Sequence, residues 1–503
     1  MLQAGTKKPS FPLRKYLRLI LGPLLYSLIL LIDSPAGMTP EARSMLACTL
    51  WVASWWITEP IPIPATSLLP IVLFPLSGAL SLESTTAAYG NPVIFLFLGG
   101  FIVALAMEAW NLHKRIALNI ILAVGTNQQQ IVLGFMAATG FLSMWISNTA
   151  TALMMLPIGV ALVVQLTAFS GEGTLGKKNN FGKALMLGIA YAASIGGMGT
   201  LIGTPGNAIF AAIVKELYGQ EISFVGWFVL GAPLACLLVF MCWLLLTKIS
   251  FPLSASGKSG EAEIRQQLKQ LGPMRAEEKW VVGVFVFAAL AWITRIFLLN
   301  RIFPALDDSM IAIAASVLLF IIPSPSSGYR SGLLTWQIAA KLPWGILLLF
   351  GAGLAIAAGF KVSGLAAYIG EQMSLAQGLS LLLFLLSIVA IINFLTEITS
   401  NVATATMMLP ILASLSEAIG VHPYGPMVAA CLASSCAFML PVATPPNAVV
   451  FGFGYIEMKD MVKTGFWLNL ICIAVITIYL YYLLPLLWEI DLERLPEWVI
   501  LHP

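Results

Sequence analysis

Residues 147–162 read SNTATALMMLPIGVAL and residues 400–415 read SNVATATMMLPILASL. Eleven of the sixteen aligned positions are identical, at a constant offset of 253. The same offset pairs Gly100 with Gly353 and Leu112 with Leu365. A second pair lies further on in each half: GTPGNAI from Gly203 and ATPPNAV from Ala443, at an offset of 240. Two ordered motif pairs at nearly constant spacing mark an internal duplication. Ser-Asn and Thr-Pro are poor material for an unbroken apolar helix, because Pro removes a donor and breaks the i→i−4 ladder. A duplication kept for structure alone needs no repeated polar motif inside hydrophobic segments.

Working outward, both Ser-Asn motifs sit mid-way in long apolar runs, 131–168 and 379–416. Each run is too long for one helix and too short for two full crossings with a turn. They read as re-entrant hairpins that enter and leave on one side. The Thr-Pro motifs fall inside two further runs, 182–217 and 424–456, which read as broken helices. Across all 503 residues, 59% are hydrophobic and only 10% charged. A soluble domain carries about 25% charged residues. The composition therefore excludes a soluble, secreted or disordered protein. It leaves an all-α polytopic membrane protein of eleven transmembrane helices and two re-entrant hairpins.

The N-terminal Lys7, Lys8, Arg14, Lys15 and Arg18 place that end in the cytoplasm. Alternating from there, 20 of the 26 basic residues fall on the cytoplasmic side. They include Lys114, Arg115, Lys177, Lys178, Lys183, Arg330 and Lys341, and the cluster from Lys248 to Lys279. Counting either hairpin as a crossing would flip every later loop and destroy the asymmetry. One hairpin then opens from the cytoplasm and the other from outside, so the repeats are inverted, a common transporter plan. The expected organisation is 1–90 as scaffold spans, 91–253 as the first repeat and mainly transport domain, 254–279 as a cytoplasmic linker with a short amphipathic helix near Glu261–Leu271, and 280–503 as the second half. No cleavage site follows Leu31, so the first apolar segment is kept as a span, and the absence of long loops suits a bacterial inner membrane.

Enzyme chemistry finds little support. Cys48, Cys236, Cys242, Cys431, Cys436 and Cys472 lie in apolar stretches without a C-x-x-C. His113, His422 and His502 fall in loops or the tail. No nucleophile elbow, zinc motif or phosphate-binding Gly-Lys loop is present. No nucleic-acid signal appears either. Broken helices inside a membrane protein do offer chemistry of their own. Their N-terminal N–H groups attract anions, and their free carbonyls with Ser, Thr and Asn oxygens suit hard monovalent cations. No Lys or Arg is expected at mid-membrane, so a bound anion relies on amides, hydroxyls, dipoles and bound cations. Glu397, three residues before Ser400, is expected to touch a cation site or orient a hairpin helix. Glu108 reads as a partner for Lys114 or Arg115.

The chain resembles the divalent anion/sodium symporter family, the INDY-type di- and tricarboxylate transporters, over essentially its full length. The carriers are Thr58-Glu59-Pro60-Ile61-Pro62, the two Ser-Asn motifs, GTPGN, ATPPN and Gly272-Pro273-Met274. The resemblance implies a homodimer with an elevator-type movement of a transport domain against a scaffold. It implies one sodium site at Ser143, Ser147, Asn148 and Gly203, and a second at Thr396, Thr399, Asn401 and Ala443. Substrate contacts are implied at Asn148, Thr149, Thr204, Ser400, Asn401, Val402, Thr444 and Pro445. Val402 stands where some members carry Thr, and Gly206 where the second repeat has Pro446. The implied activity is sodium-coupled symport of C4-dicarboxylates such as succinate, malate or fumarate. Dicarboxylate/2-oxoglutarate exchange without sodium, or transport of citrate or sulfate, are the alternatives. Sodium is the expected ion, with no organic cofactor.

Overall fold

The computed structural model describes residues 13–32, 34–125, 127–169, 179–253, 260–372 and 380–500. Lys7, Lys8, Lys177, Lys178, Lys258 and His502 lie outside the described residues. Among those described, the chain is helical throughout, with only an isolated bridge between Pro323 and Gly332.

The repeat read from the motifs is a repeat of elements. The first half supplies α1 (Pro92–Ala109), α2 (Leu112–Val124), α3 (Gln128–Ser143), α4 (Asn148–Phe169), α5 (Asn180–Gly197), α6 (Pro205–Tyr218) and α7 (Phe224–Leu244). The second supplies α8 (Trp344–Val362), α9 (Leu365–Gln372), α10 (Leu381–Leu395), α11 (Asn401–Ile419), α12 (Tyr424–Ser434), α13 (Pro445–Gly452) and α14 (Met458–Trp488). Within each half the hairpin helices pack on the upstream part of the broken helix: α3 and α4 on α5, α10 and α11 on α12. Between halves the contacts are exchanged. Helix α6 packs on α11 and α12, while α13 packs on α4 and α5. Contacts that swap reciprocally are the signature of a two-fold relation. Buried Tyr191 on α5 fastens this joint, its hydroxyl donating to the Phe438 carbonyl at 2.8 Å and its ring meeting Phe438 edge-on.

Many outer helices begin at polar caps. Asn91 accepts from Val93 N–H with Pro92 in the first turn, Asn127 forms a capping box with Gln130, and Ser223 accepts from Gly226 N–H. These caps satisfy N–H groups that an apolar surrounding would leave orphaned. Around the repeats, exposed Ile20, Leu24, Phe287, Leu290, Ile321 and Ile478 present an apolar surface suited to lipid.

Among the described residues, seven helices are long and apolar enough to cross a membrane by length and composition. The remaining apolar segments are built from shorter pieces. The run 62–80 is not one helix: it splits into Ile63–Thr66 and Leu69–Ser77, each with Pro in its first turn. Helices α5 and α6, of 18 and 14 residues, reach ~27 and ~21 Å, and α12 and α13, of 11 and 8 residues, reach ~16 and ~12 Å. None of these four alone matches an apolar layer of about 30 Å.

Candidate substrate and cation site

Four helix N-termini meet at one cavity of about 380 Å³. Its wall includes Ser147–Thr149, Gly203–Pro205, Thr399–Val402 and Val442–Pro445, the segments that open α4, α6, α11 and α13. All eight expected substrate residues line it: Asn148, Thr149, Thr204, Ser400, Asn401, Val402, Thr444 and Pro445. No Lys or Arg is among the lining residues.

These helix starts differ from those of the outer helices. Thr204 and Thr444 are both extended (φ −138° and −150°) and neither side chain caps its helix. Ser400 caps nothing either, and Ser147 reaches Ala150 N–H only at 3.3 Å. The N–H groups of Asn148 and Thr149 on α4, of Asn401 and Val402 on α11 and of Gly206 on α6 therefore stay available to a ligand, with the Thr204 and Thr444 hydroxyls; Pro445 and Pro446 leave α13 to act through its hydroxyl and its dipole. Each helix terminus carries roughly +0.5 of an elementary charge, so four together supply on the order of two. That matches a dianion without any ionised base.

Behind the cavity wall, each repeat gathers oxygens in the same way. Ser143 Oγ lies 2.6 Å from both Asn148 Oδ1 and the Ala193 carbonyl oxygen. Thr396 Oγ1 lies 2.8 Å from Asn401 Oδ1 and 2.9 Å from the Ser434 carbonyl oxygen. A hydroxyl has one proton to give, so one oxygen–oxygen contact in each set lacks a donor. Turning the amide over, or a cation among the oxygens, satisfies it. Hydroxyl, carbonyl and amide oxygens without thiolate or imidazole are a hard-cation donor set. Of the expected cation residues, Ser147, Asn148, Gly203, Thr399, Asn401 and Ala443 line the cavity, and buried Ser143 and Thr396 join it through the Asn side chains. The Thr399 hydroxyl is turned away, donating to Leu395 O at 2.8 Å and meeting Thr404 Oγ1 at 2.6 Å.

Several residues that shape the site carry no motif signal, or one read too generally. Gly197 is required for the first oxygen set, because a Cβ there would lie 2.6 Å from Asn148 Oδ1. Buried Asn207 and Asn447, the last residues of the Thr-Pro motifs, hold the breaks themselves. Asn207 Nδ2 donates to Gly197 O at 3.1 Å and Thr200 O at 2.7 Å; Asn447 Nδ2 donates to Ala437 O at 2.9 Å and Leu440 O at 3.1 Å. Their conserved place in the repeat was the available signal. Glu59, left-handed at φ 46°, lines the cavity with Phe97 and Phe101.

Both intramembrane acids find definite places. Glu397 orients a break rather than facing a cation set. Its carboxylate accepts from Phe438 N at 2.7 Å, Met439 N at 2.9 Å, Leu440 N at 3.2 Å and Asn469 Nδ2 at 2.8 Å. The pairing expected for Glu108 does not form with Arg115, which instead holds Glu278 at 2.6 Å and donates to Gly272 O. Glu108 lines a second cavity beside the site. All six cysteines are free, and five are buried. His113 is buried within α2 rather than in a loop.

The family described as the sodium:sulfate symporter transmembrane region matches residues 13–488. The chain is similar to the sodium-dependent dicarboxylate transporter SdcS of Staphylococcus saprophyticus, at 48% identity over 489 residues, 96% of this chain and 94% of that protein. It is equally similar to SdcS of Staphylococcus aureus, at 48% over 492 residues, 97% of this chain and 95% of that protein. Among solved structures, the YdaH transporter of Alcanivorax borkumensis shares the fold with a TM-score of 0.59 at 15% identity, over 95% of this chain and 99% of that one. MtrF of Neisseria gonorrhoeae does so with a TM-score of 0.52 at 14% identity, over 95% and 96% of the two chains.

Proposed function

The chain belongs to the sodium:sulfate symporter transmembrane family, and on that premise we propose that it is a secondary active transporter of C4-dicarboxylates such as succinate, malate or fumarate, driven by sodium symport. The observation that carries this reading is the cavity: four uncapped or weakly capped helix N-termini, no fixed base, and two matched oxygen sets behind the wall. The site is also two-fold. Each repeat contributes one Ser-Asn tip and one Thr-Pro break, which suits a ligand with two carboxylates better than a single tetrahedral oxyanion. The printed names of the SdcS relatives agree with both sodium and a dicarboxylate.

In this reading sodium is cargo as well as countercharge. One ion is held by Ser143, Ser147, Asn148 and the carbonyl of Gly203, the other by Thr396, Thr399, Asn401 and the carbonyl of Ala443. Filling both sets adds positive charge beside the helix termini, so the dianion binds after or with its cations. The proposed arrangement is eleven spans with re-entrant hairpins at 131–168 and 379–416, broken helices at 182–217 and 424–456, inverted repeats and a cytoplasmic N-terminus in a cell membrane. The hairpins and broken helices form the transport domain. The spans of 1–90 belong to the scaffold, the stretch 254–279 links the halves, and a homodimer moves its transport domains by an elevator step.

The test is uptake of radiolabelled succinate into proteoliposomes, with and without an inward sodium gradient. Sodium-driven accumulation is expected. Uptake indifferent to sodium but dependent on internal dicarboxylate would make the protein an exchanger. Inhibition by excess sulfate, with none by unlabelled succinate, would make it an oxyanion transporter.

A further inference from the structure

A second cavity, of about 270 Å³, adjoins the site. It shares Phe101, Ser147 and Thr149 with the first and adds Glu108 and Lys341. A third, bounded by Lys114 and by Glu263 of the linker helix Glu261–Gln270, shares Leu153 with the second. Thr149, Leu153, Pro157 and Ala161 follow one another four residues apart, so one face of α4 runs past all three. Three cavities thus follow one another along α4, from the Ser-Asn tip of the first hairpin, past Glu108, to the linker helix.

Glu108 stands out along this path. It is half-buried, and its carboxylate forms no hydrogen bond or ion pair with the described residues. Lys341 shares its cavity without forming a salt bridge to it. The repeat gives a control for what this position does when it is structural. At the offset of 253, Glu108 corresponds to Lys361, whose ammonium donates to the Leu217 carbonyl at 3.0 Å and so fastens the end of α6. Glu108 has no such employment. A half-buried, unpartnered carboxylate is costly unless a proton or a cation accompanies it, and when ionised next to a dianion pocket it repels the substrate as well. A monovalent cation at Glu108 removes both penalties, and the Ser147 and Thr149 hydroxyls in the same cavity complete an oxygen set.

We propose that Glu108 is a vestibular cation site: it binds a hard monovalent cation on the path to the Ser143–Asn148–Ala193 oxygens and raises the local concentration of the coupling ion there. This rests on the sodium-coupled reading. Glu108→Gln removes the charge and keeps the shape, and Glu108→Asp keeps the charge. Lys341→Gln tests whether Glu108 is merely held by a lysine.

Sodium-activation curves for succinate uptake are measured in proteoliposomes for the population whose cytoplasmic face, the side expected for Lys114, Lys341 and the linker, points outward, alongside radiolabelled sodium binding to the purified protein. The expected result is a rise of about three- to tenfold in half-saturating sodium for Glu108→Gln. The maximal rate and the succinate KM at saturating sodium should stay at wild-type values, Glu108→Asp should stay near wild type, and Lys341→Gln should leave the sodium curve in place. An unchanged sodium curve in Glu108→Gln, in uptake and binding alike, overturns the proposal. So does the same shift in Lys341→Gln, which would mark a structural ion pair. A wild-type protein indifferent to sodium overturns the symport reading itself, and is seen before any variant is compared. Binding needs no transport, so a variant defective in turnover still reports.

Discussion

At the scale of single residues, the packing beside the two oxygen sets differs by a methyl group at one close position. Gly197 lets the Asn148 amide approach the end of α5; the position 240 residues later is Ala437, which carries a Cβ beside the second break. Gly197→Ala would place its Cβ 2.6 Å from Asn148 Oδ1 and 3.1 Å from Nδ2, inside van der Waals contact. The amide must swing away from Ser143 and from the Ala193 carbonyl. The expected outcome is a rise of about tenfold or more in half-saturating sodium, read from uptake against sodium concentration. The melting temperature should change little, since one buried methyl costs about 1–3 kcal/mol when neighbours adjust. Wild-type sodium dependence in this variant would remove Asn148 from the cation set. The contrast also shows what sequence can convey. Ser147, Asn148, Ser400 and Asn401 announced themselves because the repeat printed them twice. Glu59 lines the cavity and Gly197 sits behind Asn148, but neither belongs to a duplicated polar motif, and a glycine among glycines carries no visible chemistry until its neighbour is placed.

At the scale of elements, the second break depends on a carboxylate and the first does not. Glu397 takes three consecutive backbone N–H groups, 438 to 440, and the Asn469 amide. Its counterpart at the offset of 253 is Met144, so the first break relies on Asn207 and on close glycine packing. Glu397→Gln replaces one acceptor oxygen by a donor facing donors. A loss of about 2–4 kcal/mol in stability is expected, with loss of transport at physiological temperature. Melting in detergent with an uptake assay checks both, and a fully stable, active Glu397→Gln would refute the break-holding role.

A second element-scale prediction concerns the turn before α12. The His422 imidazole is pushed down to about 4 by burial, opposed by nearby Asp491. Its Nδ1 accepts from Tyr424 N–H at 3.2 Å, and its ring packs against Tyr424 and Trp498. The fold favours the neutral ring, so the unfolded chain takes up the proton first. Stability from this group is complete above about pH 6.5 and is lost as pH falls towards 4, by at most ~3 kcal/mol. Melting temperatures between pH 7 and 4.5 should fall more steeply for the wild type than for His422→Asn, which keeps an acceptor for Tyr424 N–H. Equal slopes would show that His422 does not titrate in this range. The broken helices were legible for the reason these breaks are fragile: Pro and Thr interrupt an apolar run. The splitting of 62–80 was not, because Pro62, Pro64 and Pro70 suit helix starts as well as helix ends.

At the scale of the whole molecule, the low charge content becomes a statement about binding order. Ten per cent charged residues excluded a soluble protein, and the cavity shows where the scarcity matters, since no Lys or Arg reaches it. The partial charges of four helix ends offset a dianion only while the four termini stay together around it. The reciprocal packing of α6 on α11 and α13 on α4 joins those termini into one packed unit. In the proposed symport, cations in the two oxygen sets act on both carboxylates at once, through Asn148 and Asn401, which belong to the oxygen sets and line the cavity as well. Such sharing has a thermodynamic consequence. If sodium raises succinate affinity by some factor, succinate must raise sodium affinity by that same factor. Calorimetric titration of the purified protein should find succinate binding at least about tenfold tighter at saturating sodium than without it, a coupling of roughly 1.4 kcal/mol or more. Sodium titrated with and without succinate should return the matching factor. Asn148→Ala and Asn401→Ala should each weaken both ligands and reduce the coupling, because each removes an oxygen that the two ligands share. Tight succinate binding that ignores sodium would mean that the helix ends suffice alone, and the oxygen sets would then have no part in holding the dianion.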